Sequence, residues 1–241
     1  MRNRAVSAWL VLALASVAWL SPAPSTASPV KVQKAQKAPK PRAPKSAALP
    51  MAMSLQTAQV TDWVIASGDN GTLPFMVIDK IAAAVFVFDG QGRRVGAAPA
   101  LVGITPGDDS SPGVGDRELS DIAPEERTTP AGRFVSRFGT ASGDRNVLWV
   151  DYVTSISLHP VITTNKKERR LQRLNSPSPE DNRITFGCIN VPANFYAKVV
   201  VPHFRQGIGV VYILPEIKTL NEAFPAYQVL PQVSPHADVA R

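Results

Sequence analysis

Arg183-Ile184-Thr185-Phe186-Gly187-Cys188-Ile189-Asn190-Val191-Pro192 is the stretch on which the reading of this chain turns. Ile184–Phe186 is a β-rich run, and Pro192 suits the first position of a helix reaching about His203. A cysteine directly after a glycine is thereby set between a strand and a helix. Glycine there lets the backbone approach closely and lets the neighbouring amides point at one spot. Amides of Gly187 and Cys188 in that arrangement can hold the oxyanion of an acyl transfer. Cys188 is the only cysteine, so it forms no internal disulfide. A lone thiol reads on that count either as a buried structural group or as a nucleophile.

A thiol near its ordinary pKa of about 8.5 is only a few per cent ionised at neutral pH, so a nucleophile needs a base or cation close by. His159, at the end of the apolar Ser155–Leu158 run, is the candidate base. His203 lies late in the predicted helix and His236 in a Pro-rich tail. Three scattered histidines and one cysteine make a zinc set improbable. Asp108-Asp109 lacks the spacing of a calcium loop. No metal or cofactor is expected.

Outward from this stretch the pattern is mostly strand. A helix is predicted over 55–66, then strands at Phe75–Ile78 and Val85–Phe88. Asp89-Gly90-Gln91-Gly92 reads as a hairpin turn into Arg94–Ala98, with Leu101–Ile104 pairing again. Thr105 to Thr129 is a long polar loop, a length that often serves function. Further strands are predicted at Phe134–Phe138, Val147–Val150, Ser155–Leu158 and Gly209–Leu214. The fold class expected is mainly β, mixed but largely antiparallel, with a few peripheral helices.

The net charge of +7 belongs to the N-terminal tail. Residues 1–50 carry eight basic and no acidic side chains, leaving 18 basic against 19 acidic from Met51 onward. A basic nucleic-acid-binding face is not expected. Arg2 and Arg4 precede an uncharged run from Ala5 to Leu20, and Ser25-Thr26-Ala27 offers small residues for cleavage. That predicts a secretory signal peptide over residues 1–27. The run of sixteen residues falls short of the roughly 20 a spanning helix needs, so a retained anchor is the second reading. The mature protein is expected across the inner membrane, in the periplasm or cell-wall space. Residues 28–50, rich in Lys, Pro and Ala, read as an extended linker. It serves as a plain tether, or as a contact to an anionic cell wall or membrane surface. A catalytic domain is placed at 51–220 and a C-terminal tail at 221–241.

His159 followed by Thr185-Phe186-Gly187-Cys188-Ile189-Asn190 resembles the signature of the YkuD-type L,D-transpeptidases. That family has a histidine, then Ser/Thr-His-Gly-Cys, an apolar residue, and Asn or Arg. Thr128-Thr129-Pro130-Ala131-Gly132-Arg133-Phe134 is similar to its upstream Thr-Pro-x-Gly-x-Phe segment, and the hairpin around Val85–Val95 to the start of its domain. The resemblance spans roughly residues 75–215 and implies a β-sandwich of the L,D-transpeptidase type. It also implies cysteine acyl transfer on peptidoglycan stem peptides, with Cys188 attacking the carbonyl between the L-centre of diaminopimelate and a terminal D-residue. The acceptor amine would come from a second stem, a protein or a free D-amino acid. Resolution by water would make the same site a peptidoglycan peptidase or amidase. A reading from another class is a non-catalytic wall-binding module.

The motif position implies that Asn190 orients substrate, while a bond to the turn before Pro192 is its structural alternative. Thr185 matches a motif position for substrate binding but is also an ordinary strand residue. Arg183 is either a bidentate partner for a substrate carboxylate or a surface arginine. Trp149 and Tyr152 read as core or cleft wall, and Gly132 as a turn residue. Two departures stand out. Phe186 occupies the place of the family's motif histidine, and 29 positions separate His159 from Cys188. The extra length holds Lys166, Lys167, Arg169, Arg170 and Arg173, read either as a basic lid for anionic substrate or as a solvated helix and loop.

Overall fold

Ala84-Val85-Phe86-Val87-Phe88 has no polar position, and a strand of that kind must be covered on both faces. The computed structural model describes residues 51–227 and shows how this is done. The expected signal peptide (1–27), linker (28–50) and last part of the tail (228–241) lie outside the described residues. Ten strands form: β1 (Phe75–Asp79), β2 (Ala84–Phe88), β3 (Arg94–Pro99), β4 (Val102–Gly103), β5 (Gly132–Ala141), β6 (Arg145–Asp151), β7 (Ile156–Pro160), β8 (Arg183–Thr185), β9 (Ile189–Val191) and β10 (Ile208–Ile213). Eight of them make one sheet in the order β3-β2-β1-β10-β5-β6-β7-β9, and β4 pairs with β8 in a second. Within the large sheet β1–β10 and β7–β9 run parallel and every other pair antiparallel. The fold is thus mainly β and mixed, as expected.

Alternate residues of β1, β2 and β10 feed two separate cores. Met76, Ile78, Val85, Val87, Val211 and Ile213 meet Leu148, Val150, Leu158, Ile189 and Val191 from the other half of the sheet. The sheet therefore folds over on itself. Phe75, Val77, Phe86, Phe88, Val210 and Tyr212 point the opposite way. They are covered by α1 (Leu55–Ser67), which buries Val60, Trp63 and Val64. Ser54 caps α1 by accepting from the Thr57 amide, and Gly68, at φ 69°, ends it in the left-handed conformation.

Phe224 and Tyr227 pack around Trp63 in this second core. The packed body therefore runs past the expected boundary at residue 220. The chain reaches these aromatics through the short helix Leu220–Ala223. The helix expected after Pro192 is present but uneven. Ala193–Phe195 is α-helical, Tyr196–Val200 is a π turn, and Val201–Phe204 is α-helical again. The slip coincides with Pro202, which has no N–H to continue the ladder.

Two features set the position of the cysteine stretch. β9 was not foreseen, because only a strand before the cysteine and a helix after it were predicted. It is three residues long and owes its form to its neighbours: it pairs with β7, while Asn190 and Leu101 exchange backbone hydrogen bonds of 2.9 and 2.8 Å on the other side. The 165–182 segment folds as a 3-10 turn (Lys166–Glu168), α2 (Arg170–Leu174) and a second 3-10 turn (Pro179–Asn182). Buried Leu174 and a 2.8 Å bond from the Asn182 amide to the Ala100 carbonyl anchor it.

Candidate active site

Thr185 builds the turn that carries the thiol. Its hydroxyl accepts from the Gly187 amide at 3.1 Å and donates to the Cys188 carbonyl at 2.7 Å. Gly187 has φ 126°, and a Cβ there would lie 2.7 Å from both the Thr128 carbonyl oxygen and Ile156 Cδ1. Only glycine fits. The Gly187 carbonyl accepts from the Thr129 hydroxyl at 2.8 Å, and that hydroxyl in turn accepts from the Gly103 amide. The Thr128–Gly132 segment noticed in the sequence is thus the buttress of the cysteine turn.

This geometry revises two expectations. The Gly187 amide is already taken by Thr185 and is not free for an oxyanion. The Cys188 amide meets no acceptor among the described residues, so one of the two expected donors remains. Thr185 borders the cleft, yet its proton and one lone pair are committed to the turn, which makes it a scaffold residue rather than a substrate ligand.

The half-buried Cys188 opens on a cleft of about 820 Å³, bordered also by Ser157, His159, Arg170, Phe186 and Asn190. Register explains who meets whom. On the parallel strands β7 and β9, Leu158 is paired with Ile189 and His159 with Asn190. Side chains two apart share a face of a strand, so Ser157 and His159 line up against Cys188 and Asn190. The Cys188 sulfur sits 3.5 Å from the Ser157 hydroxyl and 3.7 Å from the Ser155 carbonyl. His159 lies one step further along. Its Nδ1 is 2.9 Å from the Pro160 carbonyl and its Nε2 is 3.1 Å from the Asn190 amide nitrogen. Thiol and imidazole share the cleft without bonding to each other. Burial, assisted by the positive charges of Arg145 and Arg170, holds the His159 pKa below its ordinary value of 6.5 despite the opposing bond to Pro160. The ring is therefore neutral at pH 7 and able to receive a proton.

Asn190 is buried and bonds to His159 and Arg170. Its side-chain oxygen and nitrogen are thus engaged within the cleft wall, and neither bonds to the Pro192 turn. Arg183 does not border the cleft. Its guanidinium donates to Glu216 at 2.6 Å, and the role expected for it, binding a substrate carboxylate, gives way to a structural ion pair. Trp149 forms cleft wall, with the exposed Tyr152 edge-on beside it. Phe186 borders the cleft beneath the Arg127 guanidinium, 4.0 Å from the ring centroid. Of the five cations in the 165–182 segment, Lys166, Lys167 and Arg169 face solvent, Arg173 caps backbone carbonyls of its own segment, and Arg170 alone reaches the cleft. Ser157 is a member of this site that the sequence reading left without a role there, and Arg170 is the one cation of the segment read as a basic lid or a solvated surface that reaches it. Among the described residues no group of three His, Cys, Asp or Glu side chains is placed to hold a metal ion.

No family model and no curated protein matches the sequence. Solved L,D-transpeptidase structures are among those similar to the chain. The catalytic domain of the Enterococcus faecium L,D-transpeptidase aligns at 13% identity over 58% of this chain and 95% of that domain, with a TM-score of 0.34. The Xylanimonas cellulosilytica L,D-transpeptidase aligns at 17% identity over 59% of this chain and 60% of its own, with a TM-score of 0.34. The helical cell shape determining protein of Campylobacter jejuni aligns at 12% identity over 69% of this chain and 58% of its own, with a TM-score of 0.40. The chain thus spans about three-fifths of the length of these last two.

Proposed function

We propose that this protein is a cysteine acyltransferase of the L,D-transpeptidase kind, acting on peptidoglycan stem peptides outside the cytoplasm. One observation carries the reading: the only thiol of the chain and a histidine stand on the same face of adjoining parallel strands and open on one cleft. Catalytic hydrogen bonds often tighten only when substrate is bound, so the absence of a thiol–imidazole bond in the free protein is compatible with the pair acting together. The thiol proton passes to Nε2 of His159, and the sulfur attacks the carbonyl carbon of the scissile peptide bond. The Cys188 amide stabilises the oxyanion. The carbon–nitrogen bond then breaks, and the leaving amine takes the proton back from the imidazolium. An acceptor amine attacks the thioester, returns the thiol, and completes the new amide.

The substrate class rests on the motif resemblance around Cys188 and Thr128–Phe134. The secretory pattern of residues 1–27 supports the location, in the periplasm or cell-wall space. Mass spectrometry of muropeptides incubated with the purified protein tests the whole reading. New cross-linked or amine-exchanged stems are expected. Shortened stems alone would make it a hydrolase, and no covalent change would leave a wall-binding module.

A further inference from the structure

Arginine can only donate hydrogen bonds and a backbone carbonyl can only accept them. These two constraints fix the protons along the line of groups that ends on His159. Arg170 Nη1 lies 2.8 Å from the side-chain oxygen of Asn190, which turns the amide nitrogen toward the ring, 3.1 Å from Nε2. On the opposite side Nδ1 is 2.9 Å from the Pro160 carbonyl and must therefore carry the proton. Nε2 bears the lone pair, and Asn190 donates to it. The line is sheltered: Asn190 is buried, and the Arg170 side chain is only 13% exposed, paired also with Glu168.

We propose that Arg170 is a positioning residue for His159: by holding the Asn190 oxygen it presents the amide nitrogen to Nε2 and keeps the ring in the neutral Nδ1–H form that can take up the thiol proton. The proposal rests on the reading of His159 as the base, and it draws into the site a residue from the segment inserted between histidine and cysteine. Without Arg170 the Asn190 amide is free to turn over. Its oxygen then accepts from Nε2–H, which stabilises the imidazolium, because the Pro160 carbonyl keeps a proton on Nδ1 in either case. Since Nε2 must receive the thiol proton, the Asn190 bond is given up when the thiol turns to the ring. Arg170 ensures that what is given up is a donor and not an acceptor.

The charged and titratable groups that bear on His159 are Arg145 from β6, Arg170 from α2 with Glu168 behind it, and Cys188 from the turn before β9. Removing Arg170 takes away one nearby positive charge as well as the amide lock, and both changes favour the protonated ring.

The test is nitrogen-15 NMR of the histidine side chains in the full chain, titrated between pH 5 and 8, with His203 as an internal control for folding. His203 is held separately by its bond to the Val199 carbonyl at 2.8 Å. In the wild type His159 should show the neutral Nδ1–H pattern across the neutral range. In Arg170→Met, which cannot donate to the Asn190 oxygen, its midpoint should move upward, while the neutral ring stays Nδ1–H on the Pro160 carbonyl. Arg170→Lys, which keeps the charge and still donates to the Asn190 oxygen, should keep the midpoint near that of the wild type. Asn190→Asp, which can only accept, should move the midpoint upward as well. An unchanged midpoint in Arg170→Met, with His203 undisturbed, would overturn the proposal, as would no response to Asn190→Asp. None of these readings requires turnover. An inactive protein with the expected ring behaviour would therefore sink the proposed function and leave the positioning role standing.

Discussion

Two polar clusters in this molecule are built on opposite plans. At the base of the long 105–131 loop, Lys80 is almost fully buried. Its ammonium donates to Asp108 at 2.8 Å and to the Thr129 and Gly107 carbonyls. Asp108 in turn accepts from the backbone amides of Glu216, Ile217 and Lys218 at 2.7–2.8 Å. Every strong group there has a partner. In the cleft, by contrast, the thiol has two long contacts, the Cys188 amide has no partner among the described residues, and the unprotonated ring nitrogen of His159 is held by a neutral amide. A closed network leaves nothing to offer a ligand, whereas an unfinished one stores hydrogen-bonding capacity for a substrate. Changes in the first cluster should therefore cost stability, and changes in the second should cost activity.

The sharpest separation is expected at the thiol. Cys188→Ala should remove all detectable turnover of muropeptides while shifting the urea midpoint of unfolding little, since the sulfur has no strong partner to lose. Retained turnover would break the comparison at its centre. Asp108→Asn should do the reverse. It leaves the buried Lys80 ammonium without its bonded counter-charge, a change that costs roughly 3–5 kcal/mol when one partner of a buried pair is removed. The same carboxylate gives the comparison a pH axis. Burial raises the Asp108 pKa, but the Lys218 amide, the Lys80 ammonium and the Glu216 and Ile217 amides outweigh it and pull the value down to about 2. A carboxyl that is more acidic when folded stabilises fully above its unfolded value of 3.8 and stops doing so as pH falls toward 2. About 2 kcal/mol of stability should disappear in that window, and Asp108→Asn should lack this loss. Urea titrations at pH 5, 3 and 2 measure both.

A smaller effect, confined to the open cluster, is expected at the base. His159→Gln keeps a polar group of similar length but cannot take a proton, so turnover at pH 7 should fall by about 100-fold or more. Stability should change by far less than in Asp108→Asn. The wild-type acid limb should lie below pH 6.5, because burial and the charges of Arg145 and Arg170 hold the ring's pKa down. A wild-type limb above 6.5, or a silent His159→Gln beside a damaging His203→Gln, would reassign the base.

How much of this was legible in the sequence follows the same divide between local and distant partners. The cysteine turn was readable because Gly187 and Cys188 adjoin, and the doubly buried β2 because its run is wholly apolar. The engagement of the Gly187 amide had a local signal that went unused: a threonine two residues before an amide is the spacing of a side-chain turn. β9 left no such trace. Three residues carry no periodicity, and only β7 and Leu101 make them a strand. Arg183 was misjudged because it precedes the turn and leaves on the side of the Glu216 ion pair, a direction that sequence spacing does not encode. Arg170 and Asn190 are 20 positions apart and meet only in the folded chain, so a run of five cations gave no hint of which one turns inward.

The finest test falls where the two clusters join. The 105–131 loop that is rooted on Lys80 also reaches the thiol turn, and Arg127 is one of its clasps. Its guanidinium donates to the Ile122 carbonyl at 2.8 and 3.0 Å and lies over the Phe186 ring. A cation over an aromatic face at a partly exposed position contributes about 0.5–1 kcal/mol. Arg127→Gln and Phe186→Leu should each destabilise by about 1 kcal/mol, and the double variant by less than the sum of the two. The coupling isolates the contact from the Ile122 bonds, which only Arg127→Gln removes. Strict additivity in urea unfolding would mean that Phe186 merely fills space in the cleft wall and that the Thr129 bond to Gly187 alone fastens the loop to the turn. A coupling of the expected size would make the phenylalanine, which stands where the resembled motif has a histidine, a structural clasp between the closed cluster and the open one.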